Sequence, residues 1–141
     1  AILVSGWGAL QEDINSDKFL CLKEVSHNYL LPKVATAVHH GGAGTVAACL
    51  RAGIPQVIVP FFFDQGFWGN RVEELGVGPR AVTQRRLNVS SISVALKEAI
   101  SEEKIMQAKK VADSVNQEDG ISNAVATVSK YLETKQFFRH S

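Results

Sequence analysis

Short apolar runs recur along the chain, and each has the length and composition of a strand covered on both faces of a sheet. The predicted strands are residues 1–4, 19–22, 34–39, 56–59 and 77–82. Loops rich in glycine or proline follow most of these runs, as is usual where a strand ends and the chain turns. The pattern therefore predicts several short strands rather than a few long ones.

The segments between and after these strands have the apolar spacing of helices. A short helical turn is predicted at 30–33, followed by helices at 45–51 and 65–75 and by three more helices after Asn88. Gly53 and Gly76 suit helix ends, and Asn88 suits a helix cap. Strands that alternate with helices predict an α/β fold, a Rossmann-like doubly wound parallel sheet with helices on both faces.

Ligands of such sheets bind beyond the carboxyl ends of the strands. This rule selects three loops, which follow Val4, His39 and Pro60. The middle loop reads His39-His40-Gly41-Gly42-Ala43-Gly44-Thr45 and opens a helix. A helix start offers unpaired N–H groups and partial positive charge, glycines allow close approach, and a histidine or a hydroxyl can donate to phosphoryl oxygens. We interpret the loop as a diphosphate cradle that needs no metal, the alternative being a tight turn with two incidental histidines.

A second interpretation of the same loop is a dinucleotide site. The run 42–47 fits the G-x-G-x-x-G/A fingerprint, and Asp64 lies at about the spacing of the acid that binds a ribose hydroxyl. The histidine pair has no task in that fingerprint, and Asp64 stands beside Gln65 well past the strand end. An acid beside an amide suits the several hydroxyls of a sugar better than one ribose diol.

Composition narrows the class of protein. The net charge of +1 and pI of about 8.0 give no support for a nucleic-acid partner. The two cysteines, Cys21 and Cys49, have neither a disulfide framework nor metal-ligand spacing, which favours a reducing, cytoplasmic setting. No apolar run approaches the roughly 20 residues of a membrane span. We expect membrane contact only peripherally and only through a longer protein.

One long stretch resembles the nucleotide-sugar signature of UDP-glycosyltransferases with the GT-B fold. It reads HHGGAGTVAACLRAGIPQVIVPFFFDQGFWGNRVEELGVGP from His39 to Pro79 and is preceded by Val25-Ser26-His27-Asn28-Tyr29-Leu30. Within that superfamily it is most similar to the sterol 3-beta-glucosyltransferases. The resemblance implies that residues 1–141 are the C-terminal, UDP-sugar-binding half of a longer protein, truncated at the N-terminus, whose acceptor domain lies elsewhere.

The resemblance also implies a role for each matching residue. The donor diphosphate would be bound by His39, Gly42, Ala43, Gly44 and Thr45, the sugar hydroxyls by Asp64 and Gln65, and the uracil and ribose would lie near Ser5, Trp7 and His27. Three positions depart from relatives: Ala47 replaces a ribose-binding Glu of plant enzymes, and Phe63 and Gly66 stand where many relatives have Gly and Pro. The Phe63 ring is expected to change the wall of the sugar pocket.

The implied reaction is inverting hexosyl transfer, with glucose favoured, from a UDP-sugar co-substrate to a lipophilic hydroxyl such as that of a sterol. No cofactor and no metal are expected. No catalytic residue is expected within 1–141, because the general base of the family belongs to the acceptor domain. Two alternatives remain beside the dinucleotide module: a half-enzyme of a split UDP-N-acetylglucosamine transferase, and a structural domain that binds no nucleotide.

Overall fold

Four short strands and six helices alternate in the described part of the computed structural model, residues 1–4 and 17–137 with side chains to residue 133. The strands are β1 (Ile2–Val4), β2 (Leu20–Leu22), β3 (Ala37–His39) and β4 (Gln56–Ile58). The helices are α1 (His27–Leu30), α2 (Ala43–Ala52), α3 (Gln65–Glu74), α4 (Val89–Ala99), α5 (Glu102–Gln117) and α6 (Gly120–Phe137). Leu31–Lys33 and Gln84–Arg86 are single 3₁₀ turns.

The strands pair in parallel, as the alternating pattern predicted. β1 pairs with β2, and β3 pairs with β4 in the register that sets Val38 opposite Val57. The N–H of Val59 donates to the carbonyl oxygen of His39 over 2.9 Å and extends the second pair by one residue. Within residues 1–4 and 17–137 the strands form two separate pairs rather than one continuous sheet.

Helices cover both faces of β4, because successive side chains of a strand point to opposite sides. Val57 and Val59 pack in one cluster with apolar side chains of α4. Ile58 packs in another cluster with residues of α2, α3 and α5. Every residue of β4 is fully buried as a result. This double coverage is the doubly wound arrangement that the sequence predicted.

The predicted strand at 77–82 is wrong. Its two ends do lie along β4. The backbone N–H of Gln56 donates to the carbonyl oxygen of Val77, and the backbone N–H of Val82 donates to the carbonyl oxygen of Ile58. Pro79 lies between these bonds and has no N–H to donate. The segment therefore borders β4 without forming a regular strand.

The helix ends follow local signals. Asn88 caps α4 through a reciprocal pair of hydrogen bonds with Ser91, at 2.9 and 3.0 Å, and Gly53 and Gly76 adopt left-handed conformations after α2 and α3. α2 begins at Ala43, two residues earlier than predicted. The earlier start places both Ala43 and Gly44 in the first turn of α2. α6 exposes several apolar side chains, namely Ile121, Val125, Val128 and Leu132.

We expect Gly78→Ala to destabilise the fold strongly. A Cβ at Gly78 would overlap the carbonyl oxygen of Gln56 and lie 2.6 Å from Cγ1 of Val72, so the backbone has to move. Overpacking of this kind costs about 2–3 kcal/mol of unfolding free energy. Urea unfolding followed by circular dichroism measures the loss.

The matched control is Gly66→Ala. A Cβ there meets no described atom within 4 Å, and an alanine in a helix is favoured over glycine by up to about 1 kcal/mol. Gly66→Ala should therefore unfold at the same or a higher urea concentration than the parent. Equal midpoints for the two variants would contradict the close approach at Gly78.

Candidate functional site

The loop between β3 and α2 presents an uncapped helix start. Gly42 is the N-cap of α2, and no side chain in the described part of the chain accepts a hydrogen bond from the first-turn amides. Ala43 and Gly44 in this first turn are exposed. An uncapped helix start carries free donors and partial positive charge, which suits an anion. The structure thus places Gly42, Ala43, Gly44 and Thr45 together, while their ligand stays a prediction.

The loop after β4 is held by the side chain of Gln65. Its Oε1 accepts hydrogen bonds from the backbone amides of Phe61 at 2.7 Å and Phe62 at 3.2 Å. Only 6% of Gln65 is exposed. The sequence predicted that Gln65 binds a sugar and did not reveal this anchoring. A glutamine that follows a loop residue by four positions can reach back and accept from that residue's amide. With Oε1 engaged, the Nε2 group is the part of Gln65 that can serve a sugar hydroxyl.

Asp64 stands just before α3 and is exposed. Its Oδ2 accepts a hydrogen bond from Nε1 of Trp68 at 2.8 Å, which orients the carboxylate. Trp68 is itself partly buried against the core. The other carboxylate oxygen of Asp64 has no such bond among the described residues.

The two loops touch at Gly41. This residue has φ +92°, and a Cβ there would lie 2.7 Å from Cγ2 of Ile58 and 3.2 Å from the carbonyl oxygen of Gln65. Only glycine allows both the left-handed conformation and the close contact. The predicted diphosphate loop and the predicted sugar loop are therefore direct neighbours.

His39 faces the interior rather than the open edge. Its Nε2 lies 3.0 Å from Oε1 of Gln56, and its Nδ1 accepts the N–H of Gly41 at 3.1 Å. Burial lowers the pKa of His39 to about 4, against the hydrogen bond to Oε1 of Gln56, which raises it; electrostatic repulsion from His40 and His27 lowers it further. The ring is neutral at pH 7, and both of its nitrogens are engaged. In this arrangement neither nitrogen of His39 is left to bind the predicted diphosphate, so the geometry does not support that role for His39.

His40 is the histidine on the open side of the loop. It is exposed, its ring is perpendicular to that of His39, and its Nε2 lies 2.6 Å from where a Cβ of Gly42 would be. The sequence-based prediction assigned the diphosphate to His39, which is the inward-facing member of the pair. The signal was available in strand alternation, which sends consecutive side chains to opposite sides.

An exposed aromatic wall borders Asp64. Phe61, Phe62 and Phe63 are 54%, 63% and 92% exposed, and the rings of Phe62 and Phe63 meet edge to face at 4.9 Å. Phe63 adopts φ +53°, a left-handed conformation that costs a bulky residue roughly 1–2 kcal/mol. The chain therefore holds an aromatic ring beside Asp64 in a strained conformation.

The predicted uracil neighbours are only partly described. His27 begins α1, is exposed, and lies on a helix that packs against α2. Electrostatic repulsion from His27 is among the causes that lower the pKa of His39. Ser5 and Trp7 lie outside the described residues. The roles of all three stay predictions.

The described residues form neither a cluster of metal ligands nor a helix that could span a membrane. Across residues 1–4 and 17–137, no three side chains of His, Cys, Asp or Glu come close enough to hold a metal ion. In the same residues no helix combines the length and apolar character needed to cross a membrane.

The match to a protein-family model covers most of the chain. Residues 14–131 match the family described as erythromycin biosynthesis protein CIII-like, C-terminal domain. The chain belongs to this family of glycosyltransferase C-terminal domains. The membership confirms the superfamily that the stretch from His39 to Pro79 indicated.

Curated relatives carry the name sterol 3-beta-glucosyltransferase. The protein of Eremothecium gossypii is 41% identical over 136 residues, which is 90% of this chain and 11% of the relative. That of Emericella nidulans is 41% identical over 94% of this chain and 10% of the relative. That of Arabidopsis thaliana is 37% identical over 93% of this chain and 22% of the relative. The chain thus spans about a tenth to a fifth of these relatives' lengths.

Solved structures confirm the fold class. The glycosyltransferase VinC, solved in complex with DTDP, is 27% identical with a TM-score of 0.73, covering 84% of this chain and 30% of VinC. The glycosyltransferase of kitacinnamycin is 19% identical with a TM-score of 0.80, covering 92% of this chain and 34% of that one. The Rossmann-like, GT-B-type half that the sequence predicted is therefore the fold of this domain.

We expect the buried His39 to make stability depend on pH. Its pKa is about 4 in the folded state against an ordinary 6.5, so between these values the unfolded chain binds a proton that the folded chain does not. The resulting contribution of His39 to the free energy of unfolding is fully present above pH 6.5 and is lost as the pH falls towards 4. Its size is on the order of 3 kcal/mol. Urea unfolding at pH 7.0, 5.5 and 4.5 measures it.

His39→Asn is the control for this pH dependence, since it keeps a polar side chain but does not titrate. The difference in unfolding free energy between parent and variant should shrink as the pH falls. A difference that stays constant over this range would show that His39 is not held neutral by burial.

Proposed function

We propose that this domain binds the UDP-sugar donor of an inverting, metal-independent glycosyltransferase. The full-length protein then transfers a hexose, with glucose favoured, to a lipophilic hydroxyl, with a sterol favoured. The observation that carries the proposal is the direct contact between the uncapped start of α2 and the Asp64–Gln65 loop at Gly41. One extended ligand with a diphosphate and a sugar would span both.

The diphosphate half of the proposal uses the start of α2 and His40. The first-turn amides of Ala43 and Gly44 donate to phosphoryl oxygens, and the Thr45 hydroxyl adds a third donor. His40 replaces His39 as the histidine that donates to the diphosphate, since its ring lies over Gly42 on the open side. VinC was solved with DTDP, a nucleoside diphosphate, which supports a ligand of this class.

The sugar half uses the groups that remain unengaged in the loop after β4. One oxygen of Asp64 and the Nε2 of Gln65 are left to bind sugar hydroxyls, since Trp68 and the loop amides occupy the others. The strained Phe63 ring supplies an apolar surface beside them. Pairs of polar groups beside an aromatic face suit a pyranose, which has a hydroxylated rim and an apolar face.

Chemically, this domain prepares the leaving group. In inverting transfer an acceptor hydroxyl attacks the anomeric carbon while the UDP leaves with the bonding electron pair. Donors fixed at the diphosphate stabilise the charge that develops there, an effect worth several kcal/mol in order of magnitude. His39 is neutral with both nitrogens engaged and His40 is assigned to the diphosphate, so the base that takes the acceptor proton is expected in the acceptor domain. The names of the curated relatives support a sterol as acceptor.

We expect the isolated domain to bind UDP and UDP-glucose but not to turn over. Calorimetric titration should show both ligands binding equally well with and without a chelator. His40→Ala should weaken both ligands about tenfold, as expected for one lost charge-assisted hydrogen bond. Asp64→Ala should weaken UDP-glucose and leave UDP unchanged.

Glu133→Ala provides the matched control, because it removes an exposed acid from α6 and should bind like the parent. Binding of NAD in place of UDP would overturn the proposal in favour of a dinucleotide module. A preference for UDP-N-acetylglucosamine over UDP-glucose would favour the half-enzyme of a split transferase.

A further inference from the structure

A buried line of hydrogen bonds runs from the middle of the domain to the glycine loop. Gln56 on β4 is completely buried, and its Oε1 lies 3.0 Å from Nε2 of His39. Nδ1 of the same ring lies 3.1 Å from the backbone nitrogen of Gly41. The side chain of His39 therefore joins a core strand to the first glycine of the loop.

The direction of each hydrogen bond in this line is fixed by chemistry. The backbone N–H of Gly41 can only donate, so Nδ1 of His39 must carry a lone pair. A neutral imidazole has one proton, which then resides on Nε2 and must be donated. Gln56 accordingly has to present its oxygen rather than its nitrogen, because an amide nitrogen is a donor only.

Gln56 maintains this arrangement at a cost. With its oxygen turned to His39, its Nε2 is buried and finds no partner among the described residues. An unsatisfied buried donor costs about 1–3 kcal/mol, and an apolar side chain of the same size avoids that cost. Buried groups of this kind are typical where a side chain serves a site rather than stability.

Nε2 of His39 has a second close neighbour, the thiol of Cys49, which does not determine the tautomer of the imidazole. Sγ of Cys49 on α2 lies 3.8 Å from Nε2, and burial raises the pKa of this thiol to about 12. An uncharged thiol is a weak acceptor and competes poorly with an amide oxygen at 3.0 Å. Gln56 is therefore the group that sets where the proton of His39 resides.

Gly41 is the point at which this arrangement reaches the site. Its backbone is left-handed and wedged between Ile58 and the backbone of Gln65. The bond to Nδ1 uses up its N–H and fixes the peptide between His40 and Gly41. Gly41 directly precedes Gly42, the N-cap of α2, so that peptide and the left-handed backbone of Gly41 set the direction in which the chain enters the first turn.

We propose that Gln56 is a positioning residue for the diphosphate loop: it holds His39 in the Nε2-protonated tautomer, whose Nδ1 fixes Gly41 and so aims the amides at the start of α2. The inference rests on the proposed function only in naming the ligand. His39 supports the loop from within, and His40 faces the ligand.

The test compares Gln56→Met with Gln56→Glu. Methionine fills the same space without an oxygen, whereas glutamate keeps an acceptor at the same place. Long-range ¹H–¹⁵N spectra of the imidazole should show the Nε2-protonated form in the parent and in Gln56→Glu, and a mixture of tautomers in Gln56→Met. UDP affinity should fall about tenfold in Gln56→Met and return to within about threefold of the parent in Gln56→Glu.

A second pair of variants separates the two bonds of His39. Asparagine at this position can offer an acceptor where Nδ1 stood, while glutamine can offer a donor where Nε2 stood. His39→Asn should therefore bind UDP better than His39→Gln, and exchange of the Gly41 amide hydrogen with solvent should be slower in the asparagine variant. The reverse order would overturn the proposal even if Gln56→Met does not fold.

The readouts separate this proposal from the proposed function. If the parent binds no UDP, the proposed function fails, yet the tautomer and the Gly41 exchange rate still test the line from Gln56 to Gly41 in the free protein. If the parent binds UDP and Gln56→Met keeps the parental tautomer, Gly41 protection and affinity, the positioning role is overturned.

Discussion

The parallel pairing of β3 with β4 is the constraint on which the site depends. Parallel neighbours end at the same edge of a sheet, so the loops that follow His39 and Ile58 emerge side by side. The contact of Gly41 with Gln65 is the direct result. The pairing is in turn secured by the core, because β4 is buried on both faces by helices that would lose their apolar cover if the strands slipped.

The geometry at the end of β3 gives the adjacent histidines, His39 and His40, different environments. His39 continues the inward side of β3 and becomes a neutral, hydrogen-bonded part of the interior. His40 falls on the opposite side and stays exposed over the glycine loop. The difference arises from the two-residue period of the strand and not from any difference in side-chain chemistry. One histidine of this pair is thus part of the interior, while its neighbour is exposed at the loop.

Much of the fold was predictable because it depends on local patterns. Apolar runs gave β1 to β4, apolar spacing and caps gave α2 to α6, and the strand–helix alternation gave the fold class that solved structures confirm. The strand prediction for 77–82 failed because the apolar composition of this segment suits a strand, whereas Pro79 has no N–H for regular hydrogen bonding with β4. Likewise, the resemblance selected two loops that the structure brings together, but it could not orient His39 or reveal the anchoring by Gln65. Those features depend on what lies opposite in space, namely Gln56 on β4 and the amides of Phe61 and Phe62.

The contrast between the two cysteines has a practical consequence for optical work on this domain. Cys49 is sealed in the core with its pKa raised to about 12, so it does not form the thiolate that maleimides and iodoacetamides attack. Cys21 is exposed on β2, and the chain has two cysteines in all. A fluorophore can therefore be attached at one defined position without any cysteine being removed. The native sequence already supplies a single-site label on the β1–β2 strand pair.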